Sequence, residues 1–143
     1  MNGDRVFLDT NILVYAHDSS AGDKHAVAKQ KVAELWDSGL GVLSTQVLQE
    51  FYVVVTSKVP KPLPPDAAQA VIGALLRWDI IVNDGDSVIR AIDLQQQSGY
   101  SFWDCMILVA AADGQANVLL SEDLAHGRTV NGVRIVNPFR NEP

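Results

Sequence analysis

The sequence has a single cysteine, Cys105, in 143 residues. An internal disulfide is therefore ruled out, and the chain suits a reducing cytosol. No apolar run approaches the roughly 18 residues needed to span a bilayer, and no basic leader precedes a signal-type apolar segment. The expected location is the cytoplasm, with no membrane partner. Basic residues are scarce: 11 Lys and Arg against 17 Asp and Glu give a formal net charge of -6. A general nucleic-acid binder would more often be basic, so any contact with a polyanion must be local or carried by a metal. His17, His25 and His126 lack any metal-ligand spacing and read as surface or capping groups. Four of the six prolines are confined to Lys58–Pro65, where they break regular structure. That stretch reads as a surface loop inside one domain, because neither side could build a large core alone. Repeats and low-complexity segments are lacking.

Apolar residues make up 48% of the chain and charged residues 20%, the composition of a globular domain, here a single one spanning residues 1–143. The stretch Arg5-Val6-Phe7-Leu8-Asp9-Thr10-Asn11 organises the rest. Its short apolar run reads as a buried central strand followed directly by a helix over Ile12–Ala16, which leaves Asp9 at the strand's C-terminal edge. Ser20-Ala21-Gly22-Asp23 has the form of a capping box ahead of a helix through Ala26, Val32, Leu35 and Trp36, with Gly39 as its C-terminal residue. Gly41–Ser44 is a second strand, with Ser44 or Thr45 capping a helix over Gln46–Ser57 that carries Glu50. A helix is predicted over Ala67–Trp78 and a third buried strand over Ile80–Val82. Asp84 or Asp86 caps a helix over Val88–Gln97, which Gly99 ends. Ser101 opens the helix Phe102–Ala112, and Val118–Leu120 and Val133–Val136 are the fourth and fifth strands. Alternating strands and helices give an α/β sandwich with a mostly parallel sheet.

Four acids share an unusual setting, apolar neighbours near an element end: Asp9, Glu50, Asp104 and Asp123. In an open parallel sheet they can converge at the C-terminal edge, where ligand crevices form. Two bare charges about 4 Å apart repel by about 4 kcal/mol at an effective dielectric of 20, so such a cluster must hold protons or share a cation. Oxygen-only ligands select a hard ion, Mg2+ or Mn2+. Metal-assisted phosphodiester hydrolysis follows if the acids converge. Each acid also has an ordinary role open to it. Asp104 can complete a Ser101 capping box, Glu50 can face solvent, and Asp123 can serve as a turn or N-cap residue.

The same residues carry a resemblance. Phe7-Leu8-Asp9-Thr10-Asn11-Ile12-Leu13-Val14-Tyr15 is similar to the first motif of PIN-domain ribonucleases, in particular the VapC toxins of bacterial toxin–antitoxin pairs. Leu48-Gln49-Glu50-Phe51-Tyr52 resembles their glutamate motif, and Tyr100-Ser101-Phe102-Trp103-Asp104-Cys105-Met106-Ile107 their third. Leu120-Ser121-Glu122-Asp123-Leu124 with Gly127 resembles the fourth. Order and intervals match over nearly the whole chain.

The resemblance implies a PIN-like three-layer α/β/α sandwich with about five strands, and a Mg2+-dependent endoribonuclease acting as a toxin. It implies that Asp9 and Asp104 hold Mg2+, or Mn2+ in its place, directly, while Glu50 and Asp123 act through water or a second ion. Thr10, Asn11 and Ser121 take supporting roles, because neutral donors orient carboxylates without adding repulsion. It further implies an RNA substrate, a cognate antitoxin and a homodimer. Glu122 is an extra acid without an assigned role, and the prolines from Pro60 to Pro65 are a departure from the pattern.

Two rivals remain from the residues alone. A non-catalytic interaction module could keep the fold. An aspartyl-phosphate phosphatase or phosphotransferase would also place an Asp after the first strand, but it usually wants an acid two residues on, where Asn11 stands. Cys105 reads as a buried helix thiol rather than a nucleophile. Trp36, Trp78 and Trp103 could stack on bases but read rather as core, and Lys58, Lys61, Arg128 and Arg140 could form a basic rim where RNA approaches, with a solvated scatter of charges the slightly favoured reading.

Overall fold

The computed structural model describes residues 3–140. Strand β1, Val6–Leu8, is buried throughout and lies in the middle of a six-stranded sheet. In chain order there follow helix α1 (Thr10–His17), α2 (Asp23–Ser38), β2 (Gly41–Ser44), α3 (Thr45–Ser57), α4 (Pro65–Leu75) and β3 (Asp79–Ile81). The chain continues with α5 (Gly85–Ser98), α6 (Phe102–Asp113), β4 (Val118–Leu120), β5 (Thr129–Val130) and β6 (Val133–Val136). The strand order is β3-β2-β1-β4-β6-β5, parallel except for β5. With helices on both faces, this is the expected three-layer α/β/α sandwich with a mostly parallel sheet.

The topology matters for function. The chain runs from β1 outward through β2 to β3, then returns to the other flank of β1 as β4. The strand order therefore reverses between β1 and β4, the kind of junction that opens a crevice beyond the carboxyl ends of the strands. Leu8 pairs with Leu120, and the Asp9 N–H donates to the Leu120 carbonyl at 3.0 Å. Asp9 and Ser121 thus leave the sheet level with one another.

Helix α6 runs through the core. Every residue from Cys105 to Ala111 is buried, so its apolar surface is continuous rather than one-sided, as burial against both sheet and helices demands. At the other end of the sheet the Arg5 guanidinium donates to the Gly114 carbonyl at 2.7 and 2.9 Å and pairs with Asp79. Gly41 lies against Trp78, where a Cβ would stand 2.4 Å from the indole ring, so any larger residue there requires the ring to shift.

Several expectations need correction. The sheet has six strands rather than five: Asn131 and Gly132 adopt positive φ (49° and 81°) and turn β5 back on β6. Two such residues between short apolar segments are a hairpin signal. Helix α4 begins at Pro65 and ends at Leu75, not at Ala67 and Trp78. The last proline of the loop occupies the first helical position, where its missing N–H is not needed. The capping box over Ser20–Asp23 does not form: Gly22 is the α2 N-cap without a side-chain bond, and Asp18 instead caps a short 3-10 turn, Ser19–Ala21. Strand β3 is an edge strand one residue earlier than expected, and Val82 is exposed. Of the tryptophans only Trp78 is buried. Trp36 meets it edge-on at the surface, and Trp103 is 62% exposed.

Candidate active site

The four acids expected to converge line one open cleft of about 470 Å³ beyond the carboxyl ends of β1, β2 and β4, together with Thr10, Asn11 and Lys58. Each arrives by a different element. Asp9 caps α1 directly after β1, accepting the Thr10 N–H at Oδ1 (2.8 Å). Glu50 lies in the second turn of α3, which Ser44 caps by accepting the Val47 N–H. Asp104 lies in the first turn of α6, whose N-cap is Ser101. Asp123 stands in the irregular segment after β4.

Neutral donors hold three of these carboxylates. The Ser121 hydroxyl donates to Asp9 Oδ2 at 2.9 Å, and the Thr10 hydroxyl to Glu50 Oε1 at 2.7 Å. The Asn11 amide donates to Asp123 Oδ2 at 3.0 Å. Thr10, Asn11 and Ser121 therefore all touch an acid of the cleft. Asp104 differs. Its backbone N–H donates to Ser101 Oγ at 3.1 Å, but among the described residues no donor reaches its carboxylate, so only half of the capping box exists.

Burial raises the Asp9 carboxyl to about 6; the carboxylates of Asp104 and Asp123 push it the same way, while the bonds from Ser121 and Thr10 work against them. A buried acid with two further carboxylates nearby gains from a cation in their midst. The donor set is all oxygen, which fits a hard divalent ion. Among the described residues no three Asp, Glu, His or Cys side chains form a complete ligand set.

The remaining candidates fall elsewhere. Cys105 is fully buried, its thiol 3.8 Å from Ser98 Oγ and raised above its ordinary value chiefly by burial. His17 packs edge-on to Phe51, and His25 Nδ1 contacts the Tyr15 carbonyl at 2.8 Å. Of the four basic residues weighed as a rim, Lys58 lines the acid cleft, whereas Arg128 stacks on Tyr100 and donates to its hydroxyl. Glu122 is not a free surface acid: it accepts from Tyr15 and pairs with Lys24. Sequence reasoning also passed over Gln46. This buried side chain donates to the Trp103 carbonyl at 3.3 Å and reaches toward Glu50 at 3.5 Å, and its Oε1 has no partner. Its place four residues before Glu50, on the same helix face, is the signal that could have found it. A smaller pocket of about 330 Å³ by the starts of β1 and β2 holds Lys31 and Glu34, which pair with each other at 3.9 Å.

The family described as PIN domain matches residues 6–130. The chain belongs to the PIN domain family. The acid cleft thus occupies the switch point of a PIN fold. Among solved structures, the toxin–antitoxin complex from Klebsiella pneumoniae is 24% identical, with a TM-score of 0.69 over 94% of this chain and 98% of that one. VapC20 of Mycobacterium tuberculosis, described as a sarcin-ricin loop cleaving toxin, is 18% identical, with a TM-score of 0.64 over 82% of this chain and 89% of that one. VapBC2 of Rickettsia felis, bound to a DNA fragment from its promoter, is 20% identical, with a TM-score of 0.61 over 91% and 96%. These likenesses concern the fold. Comparison with curated proteins gives no match. No helix among the described residues is long and apolar enough to cross a membrane.

Proposed function

We propose that this PIN domain is a divalent-metal-dependent endoribonuclease acting as the toxin of a toxin–antitoxin pair, with residues 1–143 forming the single domain. The observation that carries the reading is that Asp9, Glu50, Asp104 and Asp123, from four separate parts of the chain, line one open cleft at the switch point. A non-catalytic module has no use for that arrangement, whose repulsion lowers stability without a ligand.

In this reading Asp9 and Asp104 hold Mg2+, with Mn2+ as a substitute, and Glu50 and Asp123 act through water or a second ion. The bound ion supplies an acidified water and charge stabilisation at the phosphodiester. The chain's own residues do the rest. Ser121 and the Thr10 N–H fix the two oxygens of Asp9, so that the Asp104 carboxylate, which carries no bond, is the one free to adjust. Thr10 and Asn11, adjacent on the first turn of α1, aim Glu50 and Asp123 from the same rim. Lys58 is the basic side chain of the cleft and is the group to meet a phosphate of the RNA. Asn11, the residue two places after Asp9, is an amide bonded to Asp123 and cannot serve as the second acid of an aspartyl-phosphate enzyme.

An antitoxin, a second copy of the chain and a cytoplasmic location complete the reading. The support is that solved structures sharing the fold include toxin–antitoxin complexes, and that Tyr52 and Val53 on α3 and Val88, Ile89 and Ile92 on α5 are exposed apolar side chains. The test is direct. Purified protein is incubated with single-stranded RNA and Mg2+ or Mn2+, with and without chelator. Absence of cleavage together with absence of ion binding by calorimetry sinks the proposal.

A further inference from the structure

Glu122 lies between two residues that serve the cleft, yet its own side chain is engaged elsewhere. Ser121 donates to Asp9, and Asp123 accepts from Asn11. The Glu122 carboxylate accepts the Tyr15 hydroxyl at 2.8 Å and forms an ion pair with Lys24 of α2. The Lys24 ammonium also lies over the rings of Tyr15 (5.3 Å) and Phe139 (5.6 Å), and those rings meet edge-on at 5.4 Å.

Asn11 and Tyr15 are four residues apart on α1 and so share one face of it. They take consecutive residues of the segment after β4: Asn11 takes Asp123 and Tyr15 takes Glu122. The segment is thus fastened to α1 at two points one helical turn apart, and to α2 at a third. It has no regular structure of its own between β4 and β5. It is also held by the Leu124 N–H to Ser121 Oγ at 3.3 Å and, toward β6, by the Ser121 N–H to the Val136 carbonyl at 3.0 Å, the Gly127 N–H to the Ile135 carbonyl at 2.7 Å and the Asn137 N–H to His126 Nδ1 at 3.0 Å. Without the Glu122 attachment, the Asp123 side chain would hang on one exposed amide bond.

We infer that Glu122, through Tyr15 and Lys24, is a positioning residue of the acid cleft: it clamps the Ser121–Leu124 segment against α1 and α2 so that Ser121 meets Asp9 and Asp123 meets Asn11. The inference rests on the metal-dependent reading of the cleft given above. Charge-assisted bonds in such supporting contacts set the orientation of the acids that act directly, and their loss costs about 10–100-fold in affinity or rate.

Tyr15→Phe and Glu122→Gln test it. The phenylalanine keeps the ring against Phe139 and beneath Lys24 and removes only the hydroxyl. Three quantities are read on the full chain: amide hydrogen exchange at Leu124, the Mn2+ dissociation constant by calorimetry, and kcat and KM on single-stranded RNA. In both variants Leu124 is expected to exchange about tenfold faster while β1, β4 and α6 keep their protection. Mn2+ is expected to bind about tenfold more weakly, and kcat to fall about tenfold with KM little changed. Unchanged exchange and Mn2+ affinity in both variants overturn the inference. Loss of protection across the whole sheet in both also overturns it, since the trio would then serve stability alone. If the wild-type chain cleaves no RNA, the nuclease reading fails, and exchange and Mn2+ binding still decide this one.

Discussion

The Ser121 hydroxyl donates to Asp9 Oδ2 across 2.9 Å, although 112 residues separate the two in the chain. The bond exists because β1 and β4 are register-matched neighbours, Leu8 opposite Leu120, so the residues just beyond each strand emerge side by side. Ser121 is fully buried and also accepts the Leu124 N–H. Ser121→Ala leaves both partners short of a bond. It is expected to lower the unfolding free energy by about 1–2 kcal/mol and to weaken Mg2+ binding by about tenfold. Urea unfolding and calorimetry check this, and wild-type values in both contradict it.

The Asp9 carboxyl gives a pH dependence with a definite sign. Its folded value, about 6, lies above its ordinary 3.8, so the folded state binds the proton more tightly than the unfolded chain does. The stability linked to that proton is fully present below pH about 4 and is lost as pH rises through about 6. The shift corresponds to an upper bound of about 3 kcal/mol. Asp9→Asn keeps a side chain that caps helices well and removes the charge. In metal-free buffer at pH 7 the variant is expected to unfold at higher urea than wild type, with the gap closing near pH 4. Mg2+ should stabilise wild type more at pH 7.5 than at pH 5 and should not stabilise the variant. A variant less stable than wild type at pH 7 contradicts the assignment.

Lys58 caps the C-terminus of α3 and lines the cleft together with the acids. Lys58→Ala is expected to raise KM for RNA by about three- to tenfold with kcat nearly unchanged, and to lessen the steepness with which salt weakens binding by about 0.7 on a logarithmic plot. Steady-state kinetics at several salt concentrations read both. A drop in kcat with KM unchanged would place Lys58 in the chemistry instead.

Gly41 tests the frame that carries the site. An added Cβ would stand 2.4 Å from the Trp78 ring, in the buried seam that ties β2 to the end of α4. Gly41→Ala is expected to destabilise the fold by about 1–3 kcal/mol. Chemical denaturation measures it, and a neutral effect shows that Trp78 can move aside.

Much of this was legible before any coordinates. The apolar run ending in Asp9 stood out as a buried strand with an acid at its edge. The periodicity of α2, the Asp84 and Gly99 boundaries of α5, and the apolar α6 were local signals. The meeting of the acids was visible only through the four-motif pattern, because no local signal reports which residues share a sheet edge. The bonds of Thr10 to Glu50 and Asn11 to Asp123 span 40 and 112 residues and depend on helix placement and strand register. Glu122 looked unplaced for the same reason, since its partners Tyr15 and Lys24 lie on the early helices. The Asn131-Gly132 turn was a local signal on strands too short to stand out, and Pro65 belonged to the helix that its neighbours delay.

The central claim is that Asp9 and Asp104 share one divalent ion that the RNA-cleaving reaction requires. Mn2+ titration by calorimetry, run beside an RNA cleavage assay on wild type and Asp104→Asn, tests it most directly. The expected result is one high-affinity event and cleavage in wild type, with both lost in a variant that unfolds no lower than metal-free wild type. Mn2+ binding and cleavage that survive Asp104→Asn unchanged would contradict it.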